Sequence, residues 1–273
     1  AEPDISLDLP DFPRRSETTG LSFIEFASRG EEAQRLGNYL ESMGFSKIGE
    51  HKNKAADLYQ QGDIRIVLNQ EISGHAATQW NARGTTVCDI GIEVTSARDT
   101  LERAAHLGNP SFNQPLEEDE LDIPAVRGLS GSVIHFVGNE NGMDRLWETE
   151  FSQTADNKGF GLRKIDHLAQ TMSYDDMLSW SLFYTSLFEM KKSPMVDVFD
   201  PDGLVRSQVV ETADGSLRVT LNGADTHRTL AGSFLAESFG ASVQHLAIAC
   251  DDIFTTLEKM MEHGFDTLPM PSN

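Results

Sequence analysis

Val243-Gln244-His245-Leu246-Ala247-Ile248-Ala249-Cys250-Asp251-Asp252 is the stretch on which the reading of this chain turns. It is a short apolar run with one histidine near its start, and it ends at two aspartates suited to capping a helix over residues 253–263. An earlier stretch, Lys164-Ile165-Asp166-His167-Leu168-Ala169-Gln170-Thr171, has the same plan. After Ser173 it leads into an amphipathic helix over 175–188, with Trp180, Phe183, Tyr184 and Leu187 on the buried side. The two stretches read as copies of one unit.

Outward from these, the pattern recurs. Residues 21–27 form a strand-like run, and 31–43 read as a helix with Ala33, Leu36, Leu40 and Met43 on one face and Gly44 as its stop. Strands follow at 55–60 and 63–69 across a Gln61-Gly62 turn. A second unit starts with a strand at 87–94 and a helix at 97–107, and continues with strands at 121–126, 132–137 and 145–151. The third adds strands at 205–212 and 217–222, joined at Asp214-Gly215; the fourth breaks off after its helix. Ser22-Phe23-Ile24-Glu25-Phe26-Ala27 aligns with Lys164-Ile165-Asp166-His167-Leu168-Ala169, 64–69 with 217–222, and 84–89 with 240–245, at offsets of 142, 153 and 156 residues. Internal duplication therefore organises the chain into a half at 20–155 and a second half at 160–273.

Composition narrows the functional classes. The 273 residues are 39% hydrophobic, enough for a sizeable core. Asp and Glu number 43 against 22 Lys and Arg, a formal charge of -21, and the basic residues are not clustered. That argues against nucleic acid, whose binding requires counterion release by grouped cations. Cys88 and Cys250 sit inside apolar runs and read as small core residues, in keeping with a reducing compartment. No apolar run is long enough for a membrane helix, and the N-terminus has no signal-peptide pattern, so the cytoplasm is the expected location. Residues 1–19, rich in Pro, Asp, Glu and Ser, read as a linker or tail, and the chain as a piece of a longer protein.

His167 and His245 sit near the starts of equivalent strands. If the two units pair as the repeat suggests, the imidazoles converge, and two His plus one carboxylate is the usual non-haem Fe(II) set. The alternative at this level is a pair of hydrogen-bonded core histidines.

Several stretches resemble a known family. Ile165-Asp166-His167-Leu168, Val205-Arg206-Ser207, Leu221-Asn222 and Val243 to Ile253 are similar to the second half of 4-hydroxyphenylpyruvate dioxygenase, of the vicinal-oxygen-chelate superfamily. Tyr59-Gln60-Gln61-Gly62-Asp63-Ile64, Pro124-Ala125-Val126-Arg127-Gly128 and Ser132-Val133-Ile134-His135-Phe136-Val137 resemble, more narrowly, the dioxygenase-like C-terminal part of bacterial proteins whose N-terminal part is a 3-dehydroshikimate dehydratase barrel. The resemblance implies an α+β fold of tandem βαβββ units, two per half, with the fourth unit truncated. It implies Fe(II) or another divalent metal held by His167 and His245, with a third ligand, a glutamate, on a strand beyond Asn273. Ser207, Asn222 and Gln244 match substrate-pocket positions, and the implied partners are a fused dehydratase domain and a small aromatic or 2-oxoacid substrate. Homo-oligomer formation is compatible with the sequence.

The departures shape the expectation too. Gly223-Ala224 follows Leu221-Asn222 where the dioxygenases continue Glu-Pro, and the helix that in the dioxygenases brings a pocket glutamine shows Ser233 near that point. In the first half, Glu25, Asp89 and Glu148 occupy the ligand-equivalent places and suggest an all-carboxylate Mg²⁺ site or a cup that has lost its metal. His135 and His106 read as ordinary strand and helix residues, and His227-Arg228 as a loop that could meet an anionic substrate. Three readings follow: a 2-oxoacid-using Fe(II) dioxygenase, a non-catalytic module supporting the dehydratase barrel, or a small-molecule binding protein without metal.

Overall fold

The computed structural model describes residues 12–117, 119–153, 159–200, 203–225 and 228–268. His227, one of the expected anion contacts, and most of the N-terminal tail lie outside the described residues. The first unit is β1 (Thr18–Ala27), α1 (Gly30–Ser42), β2 (Ser46–His51), β3 (Ala56–Gln61) and β4 (Ile64–Asn69), followed by an extra helix α2 (Gly74–Arg83). The second is β5 (Thr86–Val94), α3 (Ala97–His106), β6 (Ala125–Arg127), β7 (Val133–Val137), α4 (Leu146–Glu150) and β8 (Phe151–Gln153). The third is β9 (Leu162–Ser173), α5 (Tyr174–Leu187), β10 (Met190–Lys192), β11 (Val196–Asp200), β12 (Gly203–Thr212), β13 (Arg218–Ala224) and α6 (Leu230–Glu237). The described part of the fourth is β14 (Ser242–Cys250) and α7 (Ile253–Glu262). The expected α+β architecture of repeated units is what the chain adopts.

Strand pairing makes the duplication concrete. β1 pairs parallel with β4 and antiparallel with β5; β9 pairs parallel with β13 and antiparallel with β14. Among the described residues the first half builds an 8-stranded sheet, ordered β6-β7-β5-β1-β4-β3-β2-β8. The second builds a 6-stranded one, ordered β10-β12-β13-β9-β14, with β11 on β12. One core joins them: Ile24, Ile90 and Phe136 of the first half lie in the same cluster as Leu168, Met172 and Tyr184 of the second.

Local chemistry explains the element boundaries. Gly62, at φ +58, makes the β3–β4 turn, where Arg163 and Leu162 carbonyls leave no room for a side chain. Gly91 on β5 lies under the ring of Phe23, which any Cβ would strike. Ser173 caps α5 by accepting from the Asp176 amide. Of the two aspartates before α7 only Asp252 caps, accepting from the Phe254 amide and the Thr255 hydroxyl. Asp251 instead takes a hydrogen bond from Arg163 Nε at 2.8 Å and so ties β14 to β9.

Some expectations are corrected. Residues 145–151 are the helix α4 leading into β8, because Trp147 and Phe151 are four apart and pack as a pair instead of alternating. Only the end of the 121–126 run becomes strand, as β6. At the other end, β1 starts earlier than its apolar run, and the Ser16 amide donates to the Leu187 carbonyl at 2.9 Å, so residues 16–19 are docked on the fold. Among the described residues no helix is long and apolar enough to cross a membrane.

Candidate functional site

The register of β9 against β14 brings the two predicted histidines together. Ala247 lies opposite His167, and His245 opposite Ala169, two residues further along the same face. The rings meet edge to face, with centroids 5.8 Å apart and planes at 77°. His167 Nδ1 donates to Asp166 Oδ2 at 2.8 Å, which orients the ring and leaves Nε2 outside that hydrogen bond. Arg218 Nη1 grips the same Asp166 oxygen at 3.1 Å. The His167 hydrogen bond, with the Arg218 charge behind it, holds the Asp166 carboxyl below the usual carboxylate range. Partial burial, and then the neighbouring His167, lower the pKa of His245, so its imidazole is neutral and fit to act as a ligand.

Ser207, Asn222 and Gln244 fall in one row across the same sheet. Ser207 pairs with Asn222, Asn222 with Thr171, and the Thr171 hydroxyl donates to Gln244 Oε1 at 3.1 Å. Thr171 lies four residues along β9 from His167, about 13 Å at strand rise. Gly223 has a local reason: a side chain there would press on Met177 and Tyr174 of α5. Ser233 lies inside α6, its amide bonded to the Thr229 carbonyl. Cys88 is buried and Cys250 half-buried, and both are free thiols. Among the described residues no three of His, Cys, Asp and Glu stand close enough to hold a metal, and the histidine pair stands without a third such group.

The N-terminal cup is different. Glu25 on β1 and Asp89 on β5, the repeat equivalents of His167 and His245, are directly opposite in register. Burial, and then the Asp89 charge, push the Glu25 pKa from 4.5 to about 7, although Asn69 Nδ2 donates to its Oε1 at 2.9 Å. His135 on β7 places Nδ1 2.7 Å from Asp89 Oδ2. Burial works to discharge this imidazole, but Asp89 outweighs it and the pKa is raised. His135 was expected to be an ordinary strand residue; it is instead part of a buried acid–acid–imidazole chain. His106 is as expected, exposed on α3 with Nδ1 against the Glu102 carbonyl.

Glu148, expected in the third position, is exposed on α4 and does not face the cup. The helical turn aims Glu150 inward instead, 3.4 Å from His51 Nε2, while Lys54 Nζ reaches Glu120 at 2.8 Å. These groups surround a cavity of about 440 Å³. Sequence reasoning missed His51, Lys54, Glu120, His135 and Glu150. A signal existed for His135, a lone histidine in an apolar strand much like His167; the end of β2 brings in His51, and loops and a short helix bring in Lys54, Glu120 and Glu150, and periodicity does not reveal them.

The model of the hydroxyphenylpyruvate dioxygenase N-terminal domain matches residues 12–152, and that of the glyoxalase/bleomycin resistance protein/dioxygenase superfamily matches 164–272. The chain is 36% identical over 262 residues to a 3-dehydroshikimate dehydratase of Pseudomonas aeruginosa, covering 96% of this chain but 41% of that protein. A 4-hydroxyphenylpyruvate dioxygenase of the same species is 27% identical, with 93% of this chain and 72% of that one covered. A solved xylose isomerase-like TIM barrel/4-hydroxyphenylpyruvate dioxygenase fusion protein superposes with TM-score 0.79 at 33% identity, covering 97% of this chain and 41% of that one. The chain thus spans about two fifths of the dehydratase relative and of the fusion protein. Its paired strands, its histidine pair and these matches along both halves make it a member of the 4-hydroxyphenylpyruvate dioxygenase family within the glyoxalase/dioxygenase superfamily.

Proposed function

We propose that this chain is the dioxygenase-like domain of a longer enzyme that also carries a 3-dehydroshikimate dehydratase barrel. In this reading its C-terminal cup holds Fe(II), or another divalent metal, at His167 and His245, and takes an aromatic or 2-oxoacid small molecule. The observation that carries it is the pair of edge-on imidazoles, with His167 oriented by Asp166 and Arg218 so that Nε2 stays outside that hydrogen bond. Two imidazoles fit a divalent transition metal, and a carboxylate outside the described residues would complete the set. A bound Fe(II) supplies Lewis acidity and one-electron chemistry with O₂ that side chains lack.

The protein's own residues do the positioning. Asp166 orients the His167 ring, and the oxoacid end of the substrate approaches the histidine end of the sheet. Ser207, Asn222 and Gln244 offer hydroxyl and amide groups to its far end. The relatives' printed activities and the fusion neighbour support the assignment of the longer protein. The two free cysteines support a reducing, cytoplasmic setting.

The test uses the intact protein, purified without oxygen. Bound metal and Fe(II)-dependent O₂ uptake are measured with aromatic 2-oxoacids, beside a His245→Ala variant. Metal at one equivalent with O₂ uptake, both lost in the variant, is expected. Metal without uptake reduces the cup to a binding site, and absence of metal leaves the domain as a scaffold for the barrel.

A further inference from the structure

We propose that the N-terminal cup is a second ligand site, one that takes a small organic cation: a primary ammonium on an apolar, ring-sized body, with the Asp89 carboxylate as its anionic floor and the Glu25 carboxyl beside it. The cavity of about 440 Å³ is in the range that encloses small molecules. Asp89 lines it with a side chain only 8% exposed, and while Oδ2 meets His135, Oδ1 has no hydrogen-bond partner among the described residues. A buried carboxylate oxygen without a donor is costly, and an ammonium group supplies up to three donors.

The charge of the wall selects the sign of the ligand. Among the described residues it carries seven carboxyl groups, Glu71, Glu117 and Asp122 among them, of which Glu25 alone has its pKa pushed up to about 7 by burial and the Asp89 charge, against one lysine and three histidines. That lysine, Lys54, is already held by Glu120 at 2.8 Å. His135 offsets part of the Asp89 charge, and His75 is kept neutral by burial. The remaining field is negative and repels an oxoacid, so the two cups of this chain take ligands of opposite charge. A bare divalent ion fits less well, because no three potential metal donors gather among the described residues. Phe23, Val67, Leu146 and Trp147 line the rest of the cavity and would bury an apolar body.

The test is calorimetric titration of the intact protein with benzylamine, with its neutral twin benzyl alcohol, and with Mg²⁺ alone. Wild type, Asp89→Asn, Glu25→Gln and His245→Ala are compared. Saturable benzylamine binding is expected, at least tenfold tighter than benzyl alcohol, weakened at least tenfold by Asp89→Asn and Glu25→Gln, and unchanged by His245→Ala. Circular dichroism verifies that each variant is folded. If Asp89→Asn does not fold, the amine-to-alcohol ratio in wild type and the Glu25→Gln result decide the matter. The proposal is overturned if benzylamine does not bind, if the alcohol binds as well as the amine, if folded variants bind normally, or if Mg²⁺ alone saturates a site that Asp89→Asn abolishes.

Discussion

The two cups of this chain use the same strands for opposite chemistry. At equivalent places on the central strand pair, the first half sets Glu25 against Asp89 and the second sets His167 near His245. The carboxylates are buried under a sheet that continues through β7 and β6, whereas the imidazoles lie on a sheet that ends, among the described residues, at β14. Even the third equivalent position is kept: Asn69, the counterpart of Asn222, donates to Glu25. Duplication fixed where the groups stand, and burial fixed what they can do. Two acids facing each other out of water must share a proton or find a cation, while two imidazoles within reach of solvent present ring nitrogens to a ligand.

The comparison can be broken most forcefully at the shared core. Phe136 is fully buried and packs edge-on against Phe188 of the other half. Phe136→Ala should cost about 3–5 kcal/mol. Thermal unfolding should still show one transition, at a lower Tm; two separated transitions would mean that the cups fold independently.

A smaller effect tests the acid pair. Glu25 has a folded pKa of about 7, above its ordinary 4.5, so the native state holds a proton that the unfolded chain has released over that interval. Stability must then fall as pH rises from 4.5 through 7, by roughly 3 kcal/mol. His135, also raised, acts in the same direction: its contribution is complete below its ordinary 6.5 and fades as pH climbs through its folded value. Denaturant unfolding across pH 4–8 should show the decline, and Glu25→Gln should flatten it. An unchanged slope in the variant would mean that the pair does not share its proton.

The smallest effect lies in the other cup. Asp166→Asn keeps the shape but weakens the orientation of His167, so divalent-metal affinity of the intact protein should drop about tenfold to a hundredfold. Unaltered affinity would remove Asp166 from the site.

What could be read from sequence follows from where the information lies. β1, β5, β9 and β14 are long strands, each with an apolar stretch around a polar or charged side chain at the equivalent place, so their repeat and the histidine pair were visible. β2, reading Ser-Lys-Ile-Gly-Glu-His, has one large apolar residue and is held by its neighbours β3 and β8. α2 presents only Ala76 and Trp80 to Ala27 and Cys88, too little apolar surface to stand out. The inward turn of Glu150 depended on α4, a helix whose Trp147–Phe151 contact is decided by tertiary packing. The family resemblance supplied the roles of Ser207, Asn222 and Gln244; on pattern alone they were polar residues on strands.

The joint interior also sets the terms on which such domains can be recombined. Leu168 and Met172 from one half are packed among Ile24, Ile90 and Phe136 from the other, so the seam left by the ancestral duplication is sealed from both sides. A chimera that joins the first half of this chain to the second half of a relative inherits mismatched seam residues, however well each half is formed. Shuffling experiments on this family should therefore move the seam residues as one block.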